Sequence, residues 1–140
     1  MTKGHFTNDG LSLAFLDEGD SQAPVVLLVH GFASSMRVNW IEPGWGKTLT
    51  EAGFRVAALD HRGHGGSDKP HDPSLYTPQK MASDCFALLD HLDVASATFF
   101  GYSMGARVSA FAALAVVSLM PVIWKKFLGR KVPKIESPPA

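Results

Sequence analysis

The sequence of 140 residues contains a single cysteine, Cys85, so the chain cannot form an internal disulfide. Absence of disulfides is typical of proteins from a reducing compartment. Residues 1–6 also lack the apolar stretch of a signal peptide. We therefore expect a cytoplasmic location, and we expect Cys85, on the apolar side of a predicted helix, to be a packed core thiol.

Net charge is absent as well, because thirteen Lys and Arg residues balance thirteen Asp and Glu residues. This balance gives no indication of a nucleic-acid partner. The charges are unevenly distributed, since residues 105–140 carry six of the basic residues and only one acidic residue. The change in charge predicts that the last third of the chain differs in character from the rest.

Only one apolar run approaches the length of a membrane span. Residues 108–124 are followed by Lys125 and Lys126, and a span needs about 17–25 residues. Pro121 and two serines interrupt this run, and a helix of a globular domain explains its first half. We therefore predict that the chain does not cross a membrane.

Strand and helix signals alternate along the chain. The turn Asn8-Asp9-Gly10 predicts a hairpin, and uniformly apolar runs predict strands buried on both faces of a parallel sheet. The predicted strands are residues 5–7, 11–16, 25–29, 54–59 and 97–102; the predicted helices are 45–52, 77–91 and 106–115. This order indicates an α/β fold: an N-terminal hairpin, then parallel strands joined by crossover helices.

Three glycine-containing loops follow the three predicted parallel strands. They are residues 30–32, 60–67 and 101–105, so they lie at the same edge of the sheet. Active sites of such sheets form outside the carboxyl ends of the strands. The shared position of these loops predicts a functional site there.

The last of these loops, Gly101-Tyr102-Ser103-Met104-Gly105, has the G-x-S-x-G pattern of a nucleophile elbow. This sharp turn between a strand and a helix exposes one hydroxyl at the sheet edge. Small residues are needed at 101 and 105 because the backbone is crowded on both sides of a strained Ser103. The pattern also arises by chance, but the flanking strand and Ala-rich helix favour the catalytic interpretation.

His30-Gly31-Phe32, the 60–67 loop and the elbow occur in an order and spacing that resemble the N-terminal half of an α/β-hydrolase-fold enzyme of the serine esterase or lipase type. The resemblance covers residues 4–115 and implies a truncated form of that fold. It implies that residues 1–115 are the N-terminal part of an α/β-hydrolase domain and that residues 116–140 are a divergent tail, first apolar and then basic with prolines. It implies that Ser103 attacks a small carboxylic ester or related acyl substrate, without a metal or an organic cofactor.

The same resemblance implies roles for the residues around Ser103. The backbone N–H groups of Phe32 and Met104 correspond to the oxyanion hole of the family. The residues that correspond to its loop-shaping positions are His30, Gly31, Gly101 and Gly105.

Two groups of side chains near these loops remain open to two interpretations. His61 and His64 are either a metal-binding pair with Asp60 or part of a glycine-rich turn with internal hydrogen bonds, and we favour the turn. The second group either lines an apolar acyl pocket or belongs in part to the core; it comprises Phe32, Trp40, Trp45 and Tyr102.

The sequence departs from the family after Ser103. The family places an acid and then a histidine downstream of the serine, whereas all six histidines here precede Ser103 and Glu136 is the one acid after it. The alternative hypothesis is therefore an inactive truncated hydrolase or an interaction remnant, produced for example by a frameshift. A sheet that stops at the elbow strand also predicts self-association through its free edge.

Ser103 also bears on which branch of the family the chain resembles. Related hydrolases with Asp at the elbow act on epoxides or haloalkanes. An alkyl-serine ether would not hydrolyse as an acyl ester does, so Ser103 argues against those two chemistries.

Overall fold

Five strands form one sheet in the order β1-β2-β4-β3-β5. The computed structural model describes the backbone of residues 1–127 and the side chains of residues 1–115. The strands are β1 Thr2–Asn8, β2 Leu11–Glu18, β3 Val25–Val29, β4 Arg55–Leu59 and β5 Thr98–Gly101. The first hairpin is antiparallel to β4, whereas β4, β3 and β5 are parallel, so the predicted α/β arrangement is confirmed.

The hairpin turn has the backbone that its sequence predicts. Asp9 and Gly10 both adopt left-handed conformations, with φ of 52° and 74°. Two successive positive φ values give a turn whose twist matches that of the flanking strands. The hairpin is longer than predicted, and its register pairs Asn8 with Leu11 at the turn and Thr2 with Asp17 at the far end.

Within residues 1–127, three α-helices connect or follow the parallel strands: α1 Trp45–Glu51, α2 Pro78–His91 and α3 Met104–Phe127. α2 begins as predicted, because the Thr77 hydroxyl accepts a hydrogen bond from the Lys80 amide and Pro78 is its first residue. A π-helical turn at Arg37–Ile41 and a 3₁₀ turn at Pro73–Leu75 were not predicted, because neither is long enough to show a periodic pattern.

The helix after the elbow is longer than its prediction of residues 106–115. α3 begins at Met104 and continues through residue 115 to Phe127. The division into residues 1–115 and 116–140 therefore falls inside a helix and stays a prediction. The basic, proline-containing end of the tail lies almost entirely outside the described residues.

The helices cover the two faces of the sheet unequally. α2 and α3 pack on one face, where Cys85 and Leu88 meet Leu27 and Leu59 of the sheet. The π-helical turn and α1 cover the opposite face around Trp40. Cys85 is fully buried, as predicted for a core thiol, and this burial raises the pKa of its thiol.

β5 lies at one edge of the sheet and pairs only with β3 among the described residues. Its side chains alternate between exposed and half-buried, and Phe100 remains 37 % exposed. Within residues 1–127, no helix combines the length and the apolar character required to cross a bilayer.

Candidate active site

Ser103 lies in a strained turn between β5 and α3. Its φ is 53°, a left-handed value that a non-glycine residue adopts at a cost of about 1–3 kcal/mol. The Gly105 amide donates to the Tyr102 carbonyl at 2.8 Å, and the Ala106 amide donates to the Ser103 carbonyl at 3.0 Å. These bonds fix the turn, and the Ser103 side chain is exposed above the sheet edge.

The two glycines of the elbow have different neighbours. A Cβ atom at Gly101 would lie 2.5 Å from the Gly105 carbonyl oxygen, which is the crowding across the serine expected from the sequence. A Cβ atom at Gly105 would instead collide with the Val29 carbonyl at the end of β3 and approach the His30 oxygen to 2.6 Å. Position 105 must therefore be glycine, because only a residue without a side chain allows α3 to start directly against β3.

The loop after β3 contacts the elbow through Gly31. A Cβ atom there would lie 3.1 Å from the Tyr102 ring, and the Gly31 amide donates to the Asn39 side chain at 2.9 Å. Within the described part of the chain, the amides of Phe32 and Met104 have no hydrogen-bond acceptor. Met104 is the first residue of α3, where amides have no partner inside the helix. Both predicted oxyanion donors are therefore free.

His30 is fully buried at the root of this loop, and hydrogen bonds fix its tautomer. Its Nε2 atom accepts from the His61 amide at 3.0 Å, so Nδ1 carries the proton and donates to the Gly31 carbonyl at 2.8 Å. The Asp60 carboxylate lies 3.9 Å from Nε2, but that nitrogen is already an acceptor, so the two side chains do not form an ion pair. Burial lowers the pKa of His30, which keeps the imidazole neutral.

His61 and His64 complete a cluster of three imidazoles. The His61 Nε2–H donates to the His30 carbonyl at 3.1 Å, and burial, with a smaller effect of His30, lowers the pKa of His61 to about 3. His64 accepts from the Ala33 amide through Nε2 at 3.2 Å and donates through Nδ1 to the Arg62 carbonyl at 3.0 Å. The side chains thus have the internal hydrogen bonds of a structured turn.

The described residues do not show the geometry of a metal site at His61, His64 and Asp60. Across residues 1–127, no group of three or more His, Cys, Asp or Glu side chains is arranged to hold a metal ion. Asp60 accepts from the Met36 amide at 2.8 Å and from the Gly66 amide at 2.9 Å, so its carboxylate joins the loops after β3 and β4.

A buried ion pair holds the 60–67 loop, and no sequence pattern predicted it. Arg62 is fully buried and makes a two-pronged contact with Asp84 of α2, at 2.8 and 2.7 Å. A third contact joins Arg62 to Asp9 at the hairpin turn, at 3.3 Å. An arginine inside a glycine-rich loop is the only sequence signal for this pair, because its partners lie far away in the chain.

The predicted aromatic group divides in two. A cavity of about 340 Å³ lies beside the elbow, and its lining residues are Asn39, Trp40, Trp45, Phe100, Gly101 and Tyr102. Trp40 serves both interpretations, since it lines this cavity and is also buried in the core. Phe32 does not line it: its side chain is 75 % exposed, with its ring 5.9 Å from that of His64.

A base for Ser103 is missing from the described residues. The Ser103 hydroxyl has no hydrogen-bond partner there, and the side chains of the three histidines of the nearby loops are hydrogen-bonded to backbone groups. After Ser103 the sequence contains no His and no Asp. The described residues thus provide an exposed serine hydroxyl and two free amides, without a general base of the kind that activates a serine.

The mixed sheet with its three parallel strands, and the strained serine between β5 and α3, define an α/β protein with a sharp turn between strand and helix. The family profile of the alpha/beta hydrolase fold matches residues 24–122, and the chain belongs to this family. It is 36% identical over 125 residues to an epoxide hydrolase of Caballeronia sordidicola, covering 89% of this chain and 35% of that protein. It is also 36% identical over 105 residues to a haloalkane dehalogenase of Psychrobacter cryohalolentis, covering 70% and 31% of the two chains.

A solved structure gives the same result. The crystal structure of epoxide hydrolase A from Mycobacterium thermoresistibile matches with a TM-score of 0.73 and 30% identity, covering 80% of this chain and 34% of that one. The chain therefore spans about a third of the length of these relatives. Membership of the α/β-hydrolase fold family, as predicted, is confirmed over residues 24–122.

Proposed function

We propose that the chain provides the nucleophile and the oxyanion hole of a serine hydrolase that acts on a small carboxylic ester or a related acyl compound. One observation carries this proposal: an exposed Ser103 with φ of 53° stands at the first turn of α3, with the free amide of Met104 beside it. The loop that contains the free Phe32 amide contacts the elbow through Gly31 and Tyr102.

The reaction follows from these groups. Ser103 Oγ attacks the acyl carbon and gives its proton to a general base that the described residues do not supply, while the carbonyl oxygen becomes an oxyanion that accepts hydrogen bonds from the Phe32 and Met104 amides. Collapse of this intermediate breaks the acyl–oxygen bond, the protonated base returns the proton to the leaving oxygen, the alcohol departs, and an acyl-Ser103 ester remains. Water then hydrolyses that ester. One oxyanion donor contributes about 2.7–4 kcal/mol of transition-state stabilisation.

The names of two relatives indicate other substrates, an epoxide and a haloalkane. Attack by Ser103 on either compound would form an alkyl ether, which has no carbonyl carbon for water to attack. Acyl transfer is therefore the chemistry that a serine at this position completes, and the proposal requires no metal and no organic cofactor.

A fluorophosphonate probe tests this proposal directly, because it reacts covalently with activated serines. We expect the folded wild-type chain to be labelled and the Ser103→Ala variant to remain unlabelled, as measured by intact-protein mass spectrometry. Ser109→Ala is a matched control, since Ser109 lies six residues after Ser103, within α3, and its hydroxyl donates to the Gly105 carbonyl. Absence of labelling in correctly folded wild-type protein would refute the proposal for this chain.

The missing base favours a second candidate, a catalytically inactive member of the family that acts through binding. Turnover of a small ester above the level of Ser103→Ala would exclude it. Under either candidate, we propose a cytoplasmic location from the lone Cys85 and self-association through the free edge of β5.

A further inference from the structure

The loop after β4 holds the loop after β3 at several points along its length. His61 exchanges two hydrogen bonds with His30, His64 accepts from Ala33, and Asp60 accepts from Met36. All of these contacts join residues 60–64 to residues 30–36. The position of the β3 loop therefore depends on the β4 loop.

Ala33 is the residue of the β3 loop whose conformation depends on a single side chain of the β4 loop. Its φ is 54°, so an alanine is held in the left-handed region that side chains disfavour. The Ala33 amide donates to His64 Nε2 at 3.2 Å, and it has no other acceptor among the described residues. His64 is itself oriented by the hydrogen bond from its Nδ1 to the Arg62 carbonyl, at 3.0 Å.

The residue before Ala33 is Phe32, whose amide is free. Only the φ and ψ rotations of Phe32 separate the two amides, so a bond that fixes the Ala33 N–H limits the directions open to the Phe32 N–H. Loss of the His64 acceptor would allow the backbone at Ala33 to leave its left-handed conformation. The Phe32 amide would then turn away from its present direction.

We propose that His64 is a positioning residue, which holds the Ala33 amide and thereby directs the Phe32 amide of the oxyanion hole. This inference rests on the proposed role of Phe32 and assigns its alignment to a side chain from another loop. His64 touches no reacting atom. Its Nε2 acts by accepting one hydrogen bond.

Two variants separate this role from simple packing. His64→Phe keeps a ring against His30 and Phe32, whose rings now lie 5.3 and 5.9 Å from that of His64, but removes the acceptor. His64→Gln removes the ring and keeps an acceptor oxygen on a side chain of similar reach. A positioning role predicts rescue by glutamine, whereas a packing role predicts rescue by phenylalanine.

Two measurements distinguish the positioning role of His64 from a packing role. Amide hydrogen exchange followed by NMR should show that protection of the Ala33 amide is lost in His64→Phe and retained in His64→Gln. The fluorophosphonate reaction should show a maximal labelling rate that falls about 10- to 100-fold in His64→Phe with an unchanged probe binding constant, and a near wild-type rate in His64→Gln.

Retained Ala33 protection in His64→Phe would overturn the proposal, as would equal slowing of both variants. A wild-type protein that is folded but unlabelled would count against the proposed function. The exchange measurement would then still decide whether His64 holds the loop, because it requires no reaction at Ser103.

Discussion

The two sides of Ser103 are built differently. On one side, the loops after β3 and β4 are joined by hydrogen bonds of 2.8 to 3.2 Å and enclose the fully buried His30 and His61. On the other side, β5 has a free edge among the described residues, and Phe100 contacts Trp40 and Trp45 through aromatic rings alone, with centroids 5.4 and 5.2 Å apart.

This difference shows which part of the site the chain determines by itself. Residues up to position 107 provide the contacts that bend the elbow and hold the loop after β3. The β5 side ends in exposed apolar side chains, and the described residues offer no base for Ser103. The strained turn at Ser103 is therefore formed without a contact to any base among the described residues.

The largest effect is expected where the elbow touches β3. Gly105→Ala places a Cβ atom against the Val29 and His30 carbonyls, although alanine is otherwise about 1 kcal/mol better than glycine in a helix. We expect the free energy of unfolding to fall by about 3 kcal/mol, as measured by urea denaturation.

Gly53→Ala is the matched control for this substitution. Gly53 has φ of 89°, but no atom lies within 4 Å of the point where an added methyl group would stand, so only backbone strain opposes the change. The expected loss is about 1 kcal/mol. A Gly105→Ala variant as stable as the wild type would show that the elbow does not depend on contact with β3.

The Gly105 contact also shows where sequence reasoning ends. The periodic apolar pattern of α2 and the uniform apolar runs of β3 and β4 predicted those elements almost to the residue, because these signals are local. The G-x-S-x-G spacing predicted small residues at the elbow. It did not identify β3 as the neighbour of Gly105, since that contact joins distant parts of the chain.

The Arg62–Asp84 pair and the hydrogen bonds of His64 were not predicted for the same reason. Both depend on which loop or helix packs opposite, and neither pairing follows a sequence period. The π-helical turn at Arg37–Ile41 was missed for a local reason, because one turn is too short to establish a pattern.

An effect of intermediate size on the free energy of unfolding is expected from a change of pH, because two histidines are buried. The pKa of His61 is about 3 in the folded chain against 6.5 for an ordinary histidine, so between these values the unfolded state binds more protons. The free energy of unfolding therefore falls as pH decreases through this window, with a contribution of about 1.4 kcal/mol per pH unit from His61. His30, whose pKa is also lowered by burial, acts in the same direction.

His61→Phe isolates this contribution, because it keeps a ring near His30 and removes one titrating group. Urea denaturation at pH 7, 6 and 5 should give a shallower pH dependence in the variant than in the wild type, whatever its stability at pH 7. Parallel curves for the two proteins would contradict a neutral, buried His61.

The smallest effect on stability is expected from a substitution at the free edge of β5. Such a substitution should instead change the self-association of the chain. Residues 94–106 contain no charged side chain, whereas the outer strand β1 at the opposite edge carries Lys3. Charged side chains on edge strands oppose pairing between sheets, so β5 is the edge open to a second copy. Thr98→Lys should abolish concentration-dependent association in sedimentation velocity, with a change in unfolding free energy of no more than about 0.5 kcal/mol.

Thr7→Lys is the control, because it places the same charge on an exposed position of β1, and it should leave association unchanged. A wild-type chain that stays monomeric at all concentrations, or association equally weakened by both lysines, would show that the β5 edge is not the contact surface.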